Sequence, residues 1–526
     1  MSELKRLPTG IQTFEKIREG NYLYVDKTAL VYQMAHDSSY VFMSRPRRFG
    51  KSLLCSTLKS YFEGRHDLFQ GLAIEQLETE WRKHPVLLIS LAGMKGGTEK
   101  EFNDKIDVQL SWYERQYGVE KKGDTPGSRL ETLIKEAPDK MGGEKTVVII
   151  DEYDSPLLAM LHEPEKLKEM RTIVRSLLSC LKDCDPWLRF VFLTGITKFS
   201  QVSIFSELNN LDKITMFPQY STICGITQQE LETQMMPWVE HLANDLGKSI
   251  DDTLKLLKRN YDGYHFARDL KDIYNPYSLL QALKWSEPKD YWFDTGTPSA
   301  LVNMLLRFGA DIMDFDDGRQ CEAGEFDAPT EKMTTPMPFF YQSGYLTIKG
   351  YNPATERYTL KYPNREVRNG MIYALIPYYV EQDTVHARNI VVDVYEAILG
   401  NDLDRAFQTL KAYLAAIPYA ENANSEGHYQ TMLYVVFSLL GRYVQQEVRT
   451  AKGRIDMVLQ STTDIYVIEL KIDRPAQEAI DQIDSNGYLL PYTLDNRRLH
   501  KVGICFSTET RTLSEWIIEG GEDARV

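Results

Sequence analysis

Cysteine is scarce: there are six in 526 residues, at positions 55, 180, 184, 224, 321 and 505. That is too few for a disulfide framework in so long a chain, and it suits a reducing cytoplasm. Cys180 and Cys184 stand one helical turn apart, but no second Cys or His pair completes a zinc site. Long apolar runs are missing as well. Stretches such as Val86–Leu91 and Val147–Ile150 fall far short of the roughly 18 residues that a spanning helix needs, so no membrane insertion is expected. Met1–Ile11 carries Lys5 and Arg6 with no apolar segment behind them, so no secretory signal is expected. Nor is there a basic excess: 61 Lys and Arg face 75 Asp and Glu, a net charge of −14. A whole-protein electrostatic grip on nucleic acid is thereby disfavoured.

What the chain does have is core-forming material: 43% hydrophobic and 26% charged residues, ordinary for a globular protein. At about 150 residues per domain, the length suggests roughly three or four units. Tyr40–Ser44, Val86–Leu91, Val147–Ile150 and Phe190–Thr194 read as buried strands. Helix-patterned segments lie between them, for example Lys51–Phe62, with Leu54, Leu58, Tyr61 and Phe62 on one face. Strands alternating with helices predict βαβ units and a parallel sheet covered on both faces. Gly118–Ser128 reads as a solvated loop.

From Gly225 to Trp285 the pattern turns helical, with Thr227 and Glu230 at capping-box spacing. Tyr341–Ile348 reads as a small hairpin of the kind found in winged modules, and Val391–Ala416 as a further helix. After Ser425 the texture is mixed α/β again. Helix His428–Leu440 precedes strands Val444–Arg449, Ile455–Gln460 and Tyr466–Leu470; helix Ala476–Tyr488 and strand Lys501–Phe506 follow.

Ser44-Arg45-Pro46-Arg47-Arg48-Phe49-Gly50-Lys51-Ser52 follows one strand and opens a helix. Backbone N–H groups of such a turn, here Arg47, Arg48, Phe49 and Gly50, face a phosphate together with the free N–H groups of the helix's first turn. Lys51 would reach the β/γ-phosphates of ATP, and the Ser52 hydroxyl would sit on Mg2+. The generic motif asks for glycine at position 45, where this chain has arginine. Alone, the string could be an exposed helix N-terminus with a solvated lysine. The strand Val147–Ile150 running into Asp151 and Glu152 strengthens the nucleotide reading. Asp151 would hold the metal shell, and Glu152 would polarise the attacking water. Thr194, ending a further strand, stands where a polar group senses the γ-phosphate. Arg47, Arg48, Arg171 and Arg175 are weak candidates for an arginine finger.

Near the C-terminus, Asp456 lies in one strand and Glu469 with Lys471 in the next. Residues two apart on a strand share a face, so Glu469 and Lys471 project together and a hairpin can bring Asp456 beside them. Two converging carboxylates can hold Mg2+, and a nearby lysine can orient or deprotonate water for attack on a phosphodiester. Glu426 could add a carboxylate, and Gln482 could close over the site from its helix. The bland alternative is a cross-strand ion pair on a solvated face. Val467, Ile468 and Leu470 argue instead for a strand buried on both sides, where an unpaired charge is costly.

Taken together, Tyr24-Val25-Asp26-Lys27-Thr28, Arg45-Pro46-Arg47-Arg48-Phe49-Gly50-Lys51-Ser52, Asp151-Glu152-Tyr153-Asp154 and Tyr261-Asp262-Gly263-Tyr264 resemble the bacterial AAA-ATPase-like proteins. Those proteins commonly end in a PD-(D/E)XK nuclease-superfamily domain. Gly453-Arg454-Ile455-Asp456 with Glu469-Leu470-Lys471 is similar to that superfamily's signature, and Glu426 and Gln482 match its accessory positions more loosely. Arg45 is, by this resemblance, the family's own variant of the phosphate loop. The resemblance implies an α/β fold: a P-loop NTPase parallel-sheet core at 1–225, a helical and optionally winged middle region at 226–415, and a restriction-endonuclease-like α/β domain at 416–526.

The expected function follows. ATP, bound with Mg2+ and expected to be hydrolysed, would gate a Mg2+-dependent nuclease acting on nucleic acid, DNA first, in DNA processing or defence. The rival is an ATP-dependent regulatory or scaffold protein whose nuclease-like domain binds a partner without cutting. Residues 421–526 hold 11 Lys and Arg against 16 Asp and Glu, a net charge of −5. Nucleic-acid affinity is therefore expected to be modest and salt-sensitive, or to need a partner or a homo-oligomer.

Overall fold

The computed structural model describes residues 4–93, 98–161, 163–198, 211–292, 318–330, 333–379, 402–415, 445–450, 453–460, 463–510 and 512–520, with single positions between 304 and 400. The chain divides into two compact units, one of residues 1–296 with 315–367, the other of 297–314 with 368–526. Among the described residues no helix is long and apolar enough to cross a membrane.

The first unit is built on β1 (Tyr40–Ser44), β2 (Val86–Ser90), β3 (Thr146–Asp151), β4 (Leu188–Gly195) and β5 (Leu211–Lys213). They form one sheet in the order β2-β3-β4-β1-β5, and every pairing is parallel. Every residue of β1 and β3 is buried, as their unbroken apolar text requires when helices cover both faces. The expected parallel α/β core is present. β5, three residues with only a half-buried leucine, is too short to carry a periodic signal.

Helix Lys51–Phe62 starts directly after Gly50, whose φ of 87° reverses the chain into the first turn. Thr227 and Glu230 form the expected capping box, side chain to backbone in both directions. The chain then runs through β6 (Ile226–Thr227), three helices between Gln228 and Tyr261, β7 (Ile273–Tyr274) and helix Pro276–Trp285. Leu231, Val239, Leu242, Leu257, Tyr261 and Leu279 form the core of this helical region. β8 (Arg319–Cys321), β9 (Thr347–Asn352) and β10 (Arg357–Lys361) make a small antiparallel sheet in the order β8-β10-β9.

The hairpin expected at Tyr341–Ile348 is displaced. Met337–Ser343 is helical and stops at Gly344, with φ 89°; the hairpin is β9–β10. Phe339, Phe340 and Tyr341 have strand-like propensity, but all three are buried, and packing outweighs propensity here.

The second unit has β11 (Gln445–Thr450), β12 (Gly453–Gln460), β13 (Asp464–Ile472), β14 (Arg498–Ser507) and β15 (Thr512–Gly520) in sequential order. Only β13 and β14 pair in parallel, and their crossover contains helix Ala476–Asn486. β15 was not among the expected strands. The expected helix His428–Leu440 lies outside the described residues.

Candidate functional site

In the first unit the sheet delivers the loop, the acidic pair and Thr194 to the same end, because all three follow the C-terminal ends of parallel strands. The loop is wound by two left-handed residues, Arg48 (φ 68°) and Gly50 (φ 87°). Nothing lies within 4 Å of the place a side chain at Gly50 would occupy, so the cradle is open there. Lys51 is buried, and its ammonium donates to the carbonyls of Arg45 and Pro46, each at 3.0 Å. Burial pulls its pKa down, opposed by Asp151, Asp154 and Glu152. Glu152 sits in a left-handed conformation (φ 52°). Its pKa is raised, first by burial and then by the neighbouring Asp151 carboxylate.

Among the described residues at this end of the sheet, Asp151 Oδ1, Asp154 Oδ1 and Thr194 Oγ1 are buried without a hydrogen-bond partner. Such orphans are rare where nothing binds. Asp151 and Thr194 lie at the ends of β3 and β4, which pair side by side, and Asp151 acts electrostatically on Lys51. The donor set fits a hydrated Mg2+ ion on a phosphate, which needs only one or two carboxylates from the protein. Ser52 is half-buried in the first turn of the helix.

Some loop residues do something the motif does not announce. Arg45 is 1% exposed and donates to the carbonyls of Ser44 at 2.9 Å, Thr215 at 2.8 Å and Tyr220 at 3.1 Å. Its guanidinium also lies 4.4 Å from the centre of the Phe266 ring. It therefore anchors the loop from below. Phe49 is likewise buried, edge-on against Tyr264 and Phe266 at 4.7 and 5.2 Å, so its side chain holds the loop and only its backbone faces the cradle. Arg48 lies over the Tyr277 ring at 4.7 Å. Arg47 is exposed and acts on Glu152, and the Trp292 indole donates to its carbonyl at 3.2 Å.

Asp154 and Gly195 carry weight that sequence reasoning missed. Asp154 Oδ2 accepts from Ile196 N at 3.0 Å, Thr197 N at 2.6 Å and Thr197 Oγ1 at 2.8 Å. The turn after the acidic strand is thus fastened to the end of β4. A side chain at Gly195 would collide with the Asp154 carboxylate. The available signal was a second aspartate three residues after Asp151, facing a glycine at a strand end.

In the second unit the antiparallel register places Met457 opposite Ile468, which brings Asp456 beside Glu469. Asp456 N donates to Glu469 Oε2 at 3.2 Å, and Leu470 N donates to Asp456 Oδ2 at 3.0 Å. Gln482 Nε2 donates to Glu469 Oε1, and Lys471 Nζ donates to Gln482 Oε1. Asp456, Glu469, Lys471 and Gln482 thus form one hydrogen-bonded string at the β12–β13 edge beneath helix Ala476–Asn486. Glu469 is 2% exposed. Burial, then the Asp456 carboxylate, raises its pKa to about 7.

Gly503, opposite Glu469 in β14, has no room for a side chain: the Ala476 carbonyl and Ile480 stand in the way. A lone glycine inside the apolar run Val502–Ile504 was its legible signal. Glu426 lies outside the described residues. Among the described residues no group of three or more His, Cys, Asp or Glu side chains could hold a metal ion, so the carboxylates brought together here are two.

Comparison with known proteins gives a family for each of the two regions. Residues 8–205 match the family described as Predicted AAA-ATPase, and residues 424–516 match the PD-(D/E)XK nuclease superfamily. The "Uncharacterized protein in vnfD 5'region" of Azotobacter chroococcum mcd 1 is 36% identical over 525 residues, covering 98% of this chain and 99% of that protein. The chain belongs to the AAA-ATPase-like family. This AAA-ATPase-like protein ends in a PD-(D/E)XK nuclease-superfamily domain. The two domains point to nucleotide-binding and nuclease-type roles.

Proposed function

We propose that this AAA-ATPase-like protein binds and hydrolyses ATP with Mg2+, and that its nucleotide state gates a Mg2+-dependent phosphodiesterase acting on nucleic acid, DNA first. The observation that carries the reading is the string Asp456–Glu469–Gln482–Lys471, two carboxylates and an amine tied together at one strand pair.

At the nucleotide site, backbone N–H groups of Arg47 through Lys51 cradle phosphate oxygens, and Lys51 exchanges its two loop carbonyls for the β/γ-phosphates. Asp151 and Ser52 would hold the metal's shell, and Thr194 would hydrogen-bond near the γ-phosphate. Glu152, with its raised pKa, takes the proton of the attacking water. A cavity of about 100 Å3 adjoins Gly50, lined largely by apolar groups such as Tyr24, Val25, Leu54, Ile223 and Ile226. It offers the nucleobase a dry seat.

At the second site, Asp456 and Glu469 would hold a divalent ion, with Glu426 as the further carboxylate the sequence offers. Bound there, the divalent ion supplies charge neutralisation and a more acidic water. Lys471, steered by Gln482, would orient the attacking water and share its proton. Membership of one chain motivates the gating. DNA processing or defence is the setting that suits it, in a cytoplasm without membrane attachment; a homo-oligomer would offset modest affinity by repeating the substrate contacts.

The test is metal-dependent cleavage of single- and double-stranded DNA and RNA by wild type and Lys51→Ala, each with and without ATP. Asp456→Ala and Lys471→Ala should each abolish cutting with folding preserved. Equal rates in the four ATP reactions would overturn the gating. No cutting by wild type with Mg2+ or Mn2+ would overturn the phosphodiesterase and leave a nucleotide-driven scaffold.

A further inference from the structure

At the end of the first sheet opposite the phosphate loop lies a cavity of about 400 Å3. The strands are parallel, so this end collects what precedes them: His84 before β2, Glu144 before β3 and Arg189 at the start of β4. Helices Thr28–Asp37 and Lys51–Phe62 both finish here, bringing Tyr32 and Tyr61 to the lining. Helix C-termini carry partial negative charge and favour cations.

Glu78 is the central group. Its Oε2 accepts from the Tyr61 hydroxyl at 2.5 Å and its Oε1 from Glu80 N at 2.8 Å. Burial opposes ionisation, but these donors and Trp81 N prevail and hold the carboxyl below its usual pKa. Every hydrogen bond to it comes from a neutral donor. Among the described residues no Lys or Arg forms an ion pair with it, although His36 and Arg82 in the same lining act on it electrostatically.

His84 supplies an independent sign. It is 6% exposed, and its Nδ1 lies 2.8 Å from the Lys145 carbonyl. A carbonyl can only accept, so Nδ1 carries the proton and Nε2 keeps a lone pair. That nitrogen has no hydrogen-bond partner among the described residues, and the ring lines the cavity. Burial pushes its pKa down, which keeps the ring neutral and accepting.

The third sign is aromatic. Trp81 and Tyr61 stand edge to face, 6.0 Å apart. Trp81 is held at φ 42°, a conformation costly for a bulky residue. The guanidiniums nearby are already engaged: Arg82 with Glu80 at 2.6 Å, Arg189 with the Ala35 carbonyl at 3.1 Å.

We propose that this cavity binds an organic cation bearing N–H donors, a guanidinium or primary ammonium group. Glu78 is its counter-ion, the Trp81 and Tyr61 rings are its walls and His84 Nε2 accepts one of its N–H groups. The site is independent of nucleotide and nuclease chemistry, although helix Lys51–Phe62 reaches it from the phosphate loop. Free amines and an arginine side chain of a partner protein share this chemistry.

Calorimetric titration of the full chain with agmatine, and separately with a capped Gly-Arg-Gly peptide, tests it. Saturable binding is expected, roughly tenfold weaker or worse in Glu78→Gln and also weakened in Trp81→Leu, with melting temperatures reporting that both variants fold. Tighter agmatine binding identifies a free amine as the ligand, and tighter peptide binding an arginine side chain. No saturable heat from either probe at millimolar concentration, or wild-type affinity in both folded variants, overturns the proposal.

Discussion

Arg45 shows how one residue can depart from a motif without weakening it. The generic loop has glycine here, yet the buried side chain donates to three backbone carbonyls. Arg45→Ala should cost about 1–3 kcal/mol of stability, as expected when buried carbonyls lose their donor. Urea unfolding measures it. Arg45→Lys should rescue little, since an ammonium cannot span the same fork. Glu469 makes a second case. With a pKa near 7 in the absence of metal, it holds a proton that a divalent ion must displace. Metal affinity should therefore climb as pH rises through about 7 and flatten above it. Mn2+ titrations across that range check the sign, and Glu469→Gln should abolish the pH dependence along with most of the binding.

Elements add constraints that no residue states alone. Helix Ala476–Asn486 can place Gln482 over Glu469 only because Gly503 lets it lie close to β14. Gly503→Val should push the helix off the sheet. The expected loss is about 1–3 kcal/mol for overpacking, with cleavage lost before the fold is, read by thermal melting beside a nuclease assay. In the helical region the end of helix Ile250–Tyr261 and the start of helix Arg365–Tyr379 each carry a buried acid. Burial raises Asp262 to about 7, although Lys258, 3.9 Å away, and Lys349 pull it down. Burial likewise raises Glu366 to about 8, although Ser278 and Trp292 N donate to it. Folded-state pKa values above the unfolded ones mean that folding favours the protonated form. Stability should therefore be greatest below about pH 4 as far as these two groups are concerned, and should fall as pH rises towards about 8. Denaturation midpoints measured across that range should drop, and Asp262→Asn with Glu366→Gln should flatten the slope.

At the scale of the whole molecule, a net charge of −14 must coexist with any nucleic-acid substrate. Binding should be modest and should weaken steadily with added salt, each neutralised phosphate contributing roughly −0.9 to the slope of log K against log salt; fluorescence anisotropy of a labelled duplex measures it. Much of the architecture was legible from local text. Tyr40–Ser44 and the strand running into Asp151 announced themselves as apolar runs, and Thr227 with Glu230 as a cap, because burial on both faces and capping chemistry are written residue by residue. Asp456, Glu469 and Lys471 were legible as a group because strand periodicity already places two of them on one face. Illegible were the hairpin's true position at Thr347–Lys361, the strand Thr512–Gly520, the burial of Arg45, and the latch from Asp154 to Thr197. Each depends on a partner distant in the chain. The amino-acid order by itself determined most of the strands and helices and which chemical groups were available. Only the tertiary structure decided which carbonyls Arg45 answers, which carboxylates meet, and that Glu78 faces a cavity with its hydrogen bonds coming from neutral donors, since those are contacts across space and local periodicity does not encode them.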